Sequence, residues 1–215
     1  MIIAPSILNI DKENRTNKIK EYLENGIEML HVDIMDGKFV PNKTLGSALV
    51  KEVRNFKTFI DTHLMIENPI DYIDEYIVAG SNLITFHVEA MDKIKETIDL
   101  IHSKNCKAGI AIKPNTSVNS ITEYLKYVDL VLVMSVEPGF GGQKFMDSAL
   151  PKIAQLSNLR TLNKYNYLIE ADGGINLENS KMLALNGCDI VVMGTFLLKA
   201  ENVKKIVEDV KIMSV

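Results

Sequence analysis

The sequence is poor in the residues that mark secreted, redox-active or membrane proteins. It has no tryptophan and only two cysteines, Cys106 and Cys188, whose wide separation supports neither a disulfide framework nor a Cys-X-X-Cys metal site. We therefore expect free thiols in a reducing, cytoplasmic compartment. No apolar run approaches the roughly 18 residues of a membrane span, and the segment after Met1 lacks the basic and apolar regions expected of a signal peptide.

The charge balance and two missing motifs narrow the functional classes further. A net charge of −4 gives no support for nucleic acid or an anionic membrane as a partner. No Gly-X-Gly-X-X-Gly follows the first predicted strand, and the nucleotide-binding P-loop pattern does not occur. These absences remove the usual signatures of a nucleotide-binding open sheet.

The sequence does contain a regular alternation of short apolar runs and longer amphipathic segments. The apolar runs predict eight strands near residues 2–7, 29–35, 58–64, 82–88, 107–112, 129–135, 166–171 and 189–193. The amphipathic segments predict helices near residues 14–25, 46–55, 69–79, 91–104, 118–125, 147–163, 177–186 and 201–212. This order is typical of a parallel sheet with right-handed crossovers.

Eight such units can close into a (β/α)8 TIM barrel or form an open doubly wound sheet. The count of eight and a length of 215 residues, near the lower end of the barrel range, favour the barrel. No change in composition marks a boundary, so we predict a single (β/α)8 barrel domain over residues 1–215.

Helix ends carry local signals of their own. Gly26, Gly80 and Gly187 each follow a predicted helix and suit a left-handed C-cap before the next strand. Asp147 and Asn176 each precede a predicted helix and are the expected N-caps.

Ionisable side chains lie where three of the predicted strands end or approach their ends. Strand two carries His31 and Asp33, strand three carries His63, and Asp172 follows strand seven. The C-terminal ends of barrel strands meet at the face that carries the chemistry. Burying such groups is costly unless they are paired or bound to a metal. We therefore predict that these four side chains bind one divalent cation, Zn²⁺, Mn²⁺, Fe²⁺ or Co²⁺.

Each of these residues also has a purely structural interpretation. A buried histidine can be hydrogen-bonded within the core, and an aspartate can cap the following helix. For His87 and Glu89, at the end of strand four, we retain the structural interpretation. Ser6, at the end of strand one, either contacts a substrate hydroxyl or completes a turn.

Three methionines also end strands: Met35, Met65 and Met134. Methionine mostly fills gaps in a core, which is the structural interpretation. The functional alternative is a flexible apolar lid that excludes water from a reacting centre.

Glycines are concentrated in the loops after strands six, seven and eight. They are Gly139, Gly141 and Gly142, then Gly173 and Gly174, then Gly194, which precedes Thr195. Loops after strands seven and eight form the usual phosphate site of such barrels. Backbone N–H groups beside glycines can hold an anion without an arginine. The alternative for each loop is an ordinary turn.

Five stretches of the chain resemble the ribulose-phosphate 3-epimerase family. They are Ile3–Leu8, His31–Asn42, Asp61–Ile66, Met134–Phe145 and Asp172–Ile175. The match runs in order over essentially the whole chain, and its second and fourth stretches are specific. The resemblance implies a barrel of the ribulose-phosphate-binding type. It also implies an isomerase that interconverts D-ribulose 5-phosphate and D-xylulose 5-phosphate.

By this resemblance, His31, Asp33, His63 and Asp172 are metal ligands, and Asp33 and Asp172 are also the two acid/base residues. The positions that match substrate or phosphate contacts are Ser6, His63, Gly139, Phe140, Gly141, Gly142, Asp172, Gly173, Gly174, Gly194 and Thr195. Inverting a carbon beside a ketone removes a proton from one face and returns one to the other, which requires a carboxyl group on each face. A metal stabilises the negative charge of the enediolate.

Strand eight departs from the family pattern and leaves alternatives open. Gly194-Thr195-Phe196 stands where the family often has Gly-Ser and small residues, so a ketohexose substrate such as D-allulose 6-phosphate is the second candidate. A lyase or decarboxylase on this barrel would typically need a lysine at a strand end, where the sequence offers only Lys113. An inactive sugar-phosphate sensor would lack a motif residue, and none is missing. We also expect a homo-oligomer.

Overall fold

Eight parallel strands form the centre of the computed structural model, which describes residues 1–213. Their bounds are β1 Ile2–Pro5, β2 Met29–Met35, β3 Phe59–Met65, β4 Leu83–His87, β5 Lys107–Ile112, β6 Leu130–Met134, β7 Leu168–Asp172 and β8 Ile190–Met193. Each predicted strand is confirmed to within a few residues.

The strands close into a barrel. Hydrogen bonding runs in the order β1-β8-β7-β6-β5-β4-β3-β2. The two ends of this series meet at a parallel bridge between Ser6 and His31, where the Ile7 N–H donates to the His31 carbonyl at 3.2 Å. The predicted TIM barrel is therefore confirmed, and the doubly wound sheet is excluded.

Helices cover the outside of the barrel. Within residues 1–213 they are α1 Lys12–Glu24, α2 Ser47–Arg54, α3 Ile73–Ala79, α4 Ile94–Ser103, α5 Ala149–Asn163, α6 Leu177–Leu185, α7 Thr195–Leu198 and α8 Val203–Lys211. None of the helices in this range has the length and hydropathy needed to cross a bilayer. The short α7 directly after β8 was not expected from the sequence.

The prediction of a helix over residues 118–125 is wrong. Only a 3₁₀ turn, Val118–Ile121, forms there. Ser117 accepts the Asn119 N–H, Ser120 donates to the Ser117 carbonyl, and Thr122 donates to the Asn119 carbonyl. Such side-chain bonds to the local backbone compete with an α-helix.

Two apolar layers position the site. Side chains inside the barrel include Ala4, Leu83, Leu132, Ile190 and Val192. A larger cluster fills the space between the strands and the surrounding helices. Because strand side chains alternate, every second residue of a strand points into the barrel, and the polar groups described below occupy such positions.

The glycine C-caps are confirmed. Gly26, Gly80 and Gly187 have φ values of 84°, 120° and 92°. After each one, the next residue donates its N–H to a carbonyl five residues earlier, as in a Schellman motif.

Of the two expected N-caps, one is confirmed. Asn176 forms a capping box with Asn179 at the start of α6. Asp147 is not the cap of α5, because Ser148 before the helix already has helical dihedral angles and no side chain caps it.

Replacing Gly187 by alanine is expected to destabilise the protein more than replacing Gly26. Both positions require positive φ, which costs an L-residue roughly 1–2 kcal/mol. A Cβ at residue 187 would also overlap the Ser157 side chain, whereas one at residue 26 lies 3.6 Å from its nearest neighbour. Urea denaturation of both variants measures the difference, expected to be about 1–3 kcal/mol. Equal losses would show that contact with Ser157 does not matter.

Candidate active site

The pairing of β2 with β3 brings histidines and carboxylates together inside the barrel. His31 lies beside Asp61, and one step further along the strands Asp33 lies beside His63. Met35 and Met65 form the next pair, above the polar groups. All four polar side chains are buried, so each depends on its neighbours for hydrogen bonds.

Four side chains converge on one point near the C-terminal ends of the strands. One ligand atom from each of His31, Asp33, His63 and Asp172 lies within 4.8 Å of the others. Asp33 Oδ1 is 3.4 Å from His31 Nε2 and 3.2 Å from His63 Nδ1, and Asp172 Oδ2 is 4.0 Å from His31 Nε2. The sequence-predicted ligand set is therefore assembled in space.

This geometry fits a divalent cation. Bonds of about 2.0–2.2 Å to nitrogen and oxygen place ligand atoms roughly 3–4 Å apart, and the three separations given above lie in this range. The His31 Nε2 atom is buried and has no hydrogen-bond partner among the described residues. A mixed imidazole and carboxylate set suits Zn²⁺ or a first-row transition metal.

The surroundings shift the pKa values of two carboxyl groups of the cluster in opposite directions. Burial alone would raise the pKa of Asp33, but the charge of His31 holds it well below its usual value. Burial and the charge of Asp33 raise the pKa of Asp172 to about 6. One carboxyl is thus held ionised while the other accepts a proton near neutral pH, the arrangement expected of a base and an acid.

Hydroxyl groups fix the positions of both aspartates. Ser6 donates to Asp33 Oδ2 at 2.7 Å. Ser135 donates to the backbone carbonyls of Asp172 and Gly173 at 2.8 and 2.7 Å. Ser6 therefore contacts the cluster itself and does more than complete a turn. Ser135, at the end of β6, was not singled out from the sequence.

A second polar layer lies deeper in the barrel and was also missed. Asp61 Oδ2 is 2.5 Å from His31 Nδ1, and Glu170 Oε1 is 3.7 Å from the same atom. Burial would lower the pKa of His31, but Asp61 and Asp33 raise it well above its usual value. Burial and Asp61 raise the pKa of Glu170. The sequence did carry a signal for this layer: Asp61 lies two residues before His63, and Glu170 two residues before Asp172. Residues two apart on a strand share one face.

The cluster opens into a cavity of about 220 Å³. Its walls include Ser6, Asp33 and Asp172, the three methionines, and the loops after β6, β7 and β8. Met35, Met65 and Met134 are all at most 3 % exposed. The structure therefore shows them both packed and lining the cavity.

The three glycine-rich loops meet at one side of this cavity. A Cβ on Gly142 would lie 3.6 Å from Thr195 Oγ1, and one on Gly174 would overlap the backbone of residues 143–145. Gly139, Gly173 and Gly174 have φ values of 115°, 125° and 62°, which an L side chain rarely adopts. Phe140 and Gly194 also line the cavity.

Asn9 joins this group and was missed from the sequence. Its side-chain amide donates to Thr195 Oγ1 at 3.0 Å, and a Cβ on Gly141 would overlap it. Its only sequence signal was its place in the loop after β1, close to Ser6.

His87 is hydrogen-bonded in the core, as the structural interpretation expected, but it pairs with Glu89 and also contacts His63 of the cluster. His87 Nδ1 is 3.1 Å from Glu89 Oε2, and His87 Nε2 is 2.9 Å from His63 Nε2. Burial lowers the pKa of His87 to about 4. Burial would raise the pKa of Glu89, but hydrogen bonds from His87 and its other neighbours lower it to about 2.

Without metal, Asp172→Asn is expected to be more stable than the wild type at pH 7, with the difference vanishing toward pH 4. The folded pKa of about 6 lies above the unfolded value of about 3.9. The stability contributed by protonated Asp172 is therefore fully present below the unfolded pKa and is lost as pH rises through 6. The expected difference at pH 7 is on the order of 2 kcal/mol.

Urea unfolding of chelator-treated protein between pH 4 and 7.5 measures this difference. Asp92→Asn, at an exposed site, is the matched control. A difference between Asp172→Asn and the wild type that does not change with pH would contradict the assignment.

Known proteins match this chain in sequence over nearly its whole length. The sequence profile described as "Ribulose-phosphate 3 epimerase family" matches residues 2–198. The ribulose-phosphate 3-epimerase of Bacillus subtilis is 39 % identical over 211 residues, covering 97 % of both chains. The Schizosaccharomyces pombe protein of the same name is 40 % identical over 214 residues, covering 97 % of this chain and 92 % of its own.

A match to a solved structure of much lower sequence identity shows the fold alone. The 3-keto-L-gulonate-6-phosphate decarboxylase of Vibrio cholerae superposes with a TM-score of 0.73 at 14 % identity, covering 99 % of this chain and 96 % of its own. Such low identity carries no information on activity. The sequence relatives are closer, and with the profile they decide the assignment: the chain belongs to the ribulose-phosphate 3-epimerase family.

Proposed function

We propose that this protein is a metal-dependent 3-epimerase that interconverts D-ribulose 5-phosphate and D-xylulose 5-phosphate. The observation that carries the proposal is the placement of Asp33 and Asp172 in one histidine–aspartate cluster at the base of a cavity rimmed by glycine loops. Membership of the family supports it, because the relatives compared above bear the name of this activity.

The four ligands His31, Asp33, His63 and Asp172 would hold the cation. Zn²⁺, Fe²⁺, Mn²⁺ and Co²⁺ all suit this set. When bound, the cation supplies Lewis-acid stabilisation of the negative charge that develops on the sugar oxygens.

The two aspartates move the proton at C3. β2 and β7 are separated in the ring by β1 and β8, so Asp33 and Asp172 approach the cavity from different directions. The ionised carboxylate takes the C3 proton, the C–H electron pair forms a C2=C3 bond, and the π pair of the C2 carbonyl moves onto its oxygen to give an enediolate. The protonated carboxyl then donates its proton to the other face of C3, whose new C–H bond takes the C2=C3 pair while the C2 carbonyl re-forms. Each turnover exchanges the protonation states of the two aspartates, so they exchange the roles of acid and base in the reverse reaction.

The remaining groups orient the sugar phosphate and keep water out. Backbone N–H groups of the loops at Gly142, Gly174 and Thr195 hold the phosphate. Ser6 keeps the Asp33 carboxylate in place through its 2.7 Å hydrogen bond. Met35, Met65 and Met134 supply an apolar cover beside the reacting carbon, where exclusion of water strengthens electrostatic interactions.

Four expectations from the sequence stay predictions. They are a single domain, a cytoplasmic location, a homo-oligomeric state and the absence of nucleic-acid or membrane partners.

Replacing either aspartate is expected to abolish most of the turnover of ribulose 5-phosphate. Asp33→Asn and Asp172→Asn each remove one proton-transfer group, which typically lowers kcat by 10²- to 10⁴-fold. Asp71→Asn, at an exposed site after β3, should keep wild-type turnover. Steady-state kinetics with matched metal content measures this, and near-wild-type activity of either site variant would rule out the two-carboxyl scheme.

The length of the sugar is expected to be limited by Phe196, which lines the cavity beside the phosphate loops. The wild type should have a higher kcat/KM for ribulose 5-phosphate than for allulose 6-phosphate. Phe196→Ala should lower the ratio of the kcat/KM for ribulose 5-phosphate to that for allulose 6-phosphate by about tenfold, since a small change in pocket size alters discrimination between substrates by that factor or more. Competition between the two sugars measures the ratio. A wild-type preference for the hexulose would instead make the ketohexose 6-phosphate the substrate.

A further inference from the structure

A chain of buried hydrogen bonds leads away from the proposed metal site through His63. His63 Nδ1 faces Asp33, and its other ring nitrogen, Nε2, lies 2.9 Å from His87 Nε2. Both imidazole rings are completely buried. Only one of the two facing nitrogens can carry a hydrogen in this contact, because two N–H groups would point at each other.

Glu89 decides which nitrogen carries that hydrogen. Its Oε1 accepts the Lys113 backbone N–H at 2.8 Å and the Thr116 hydroxyl. A backbone N–H can only donate, so Oε1 is an acceptor, and the hydrogen bonds from its neighbours lower the pKa of Glu89 against the effect of burial, which keeps the carboxylate ionised. Its Oε2, which faces His87 Nδ1 at 3.1 Å, therefore accepts as well. His87 therefore carries its hydrogen on Nδ1 and accepts at Nε2. It follows that His63 donates from Nε2 and presents a bare Nδ1 toward Asp33.

The far end of this chain is fixed to the outer helices. The Lys152 ammonium group on α5 donates to the backbone carbonyls of Lys113, Pro114 and Thr116 at 2.9, 2.6 and 2.7 Å. These bonds hold the loop after β5 that supplies the donors to Glu89. The acceptor that sets the tautomers is thus held rigidly.

We propose that His87 and Glu89 are positioning residues that fix the tautomer and orientation of His63, so that its Nδ1 is the nitrogen presented to the cation. The inference rests on the metal site proposed above. His31 provides the contrast, since its Nδ1 contacts Asp61 directly and its Nε2 faces the site. Each imidazole is thus backed by a carboxylate, directly for His31 and through His87 for His63. Such outer partners orient metal-binding histidines.

Glu89→Gln tests the proposal with almost no change of shape. If the NH₂ group of the new amide faces His87, two donors, this group and the His87 Nδ1–H, point at each other. If the amide is flipped, its NH₂ group instead points at the Lys113 backbone N–H. If His87 shifts its hydrogen to Nε2 in response, His63 must carry its own on Nδ1, where the cation binds. We expect the Kd for Zn²⁺, measured by competition with a chromophoric chelator, to rise about 10- to 100-fold.

Glu67→Gln is the matched control, because Glu67 is an exposed glutamate after β3 and the substitution makes the same change of charge. Its Zn²⁺ affinity should equal that of the wild type. Unfolding of the metal-free variants is recorded in parallel. A purely structural role for Glu89 would lower the stability of the metal-free chain and leave the Zn²⁺ affinity of the folded protein unchanged.

A second pair of variants tests His87 itself. These variants show whether His87 positions His63 even if Glu89→Gln does not fold. His87→Phe keeps a ring but offers no acceptor to His63, so it should lose affinity as Glu89→Gln does. The carbonyl of His87→Gln can accept the His63 Nε2–H and should restore most of the affinity. Zn²⁺ binding within about threefold of the wild type in both Glu89→Gln and His87→Phe would overturn this inference alone. Failure of the wild type to bind Zn²⁺ would overturn the metal site and this inference together.

Discussion

The structure depends on the mutual pairing of histidines and carboxylates inside a barrel that is otherwise filled with aliphatic side chains. A buried charge is costly unless it is paired and hydrogen-bonded. The register of β2 against β3 meets this requirement by setting His31 beside Asp61 and Asp33 beside His63. Asp172, from the other side of the ring closure, completes the set. A shift of one residue in either strand would turn these side chains out of the barrel and separate them.

The need of every buried polar group for a partner also explains why these groups form two layers, one deeper in the barrel than the other. The upper layer faces the cavity, and within residues 1–213 its His31 Nε2 has no hydrogen-bond partner, which leaves that nitrogen available to a cation. The lower layer, with Asp61 and Glu170, is closed off from solvent and contacts His31 from beneath. To one side, the chain through His87 and Glu89 reaches a loop held by Lys152. The clustered side chains are therefore supported by the strands, while the glycine loops beside the cavity adopt positive φ values that other residues rarely allow.

Much of the fold could be predicted from the sequence because its signals are local. Apolar runs marked the strands, and glycine at residues 26, 80 and 187 marked helix ends that do adopt positive φ. Where side chains compete for the backbone, as after Ser117, the periodicity was misleading and a 3₁₀ turn replaced the expected helix. The short α7 has too few residues to show a helical period.

The candidate site was partly predictable for the same reason. His31, Asp33, His63 and Asp172 could be grouped because their strands end at one face of the barrel. Asn9, Ser135 and the link from His63 to His87 depend on contacts between segments far apart in the chain, and no spacing in the sequence encodes them. Glu170 was visible two residues before Asp172, but only the assembled barrel shows that it lies against His31.

The most direct test of two opposed carboxyl groups is the fate of the C3 hydrogen in deuterated water. Ribulose 5-phosphate is converted in D₂O, and the xylulose 5-phosphate formed in the first turnovers is analysed by NMR. If separate aspartates take and return the proton, this product carries deuterium at C3 from the start. Product that keeps the substrate's own hydrogen at C3 would show that a single group serves both faces, and would contradict the account.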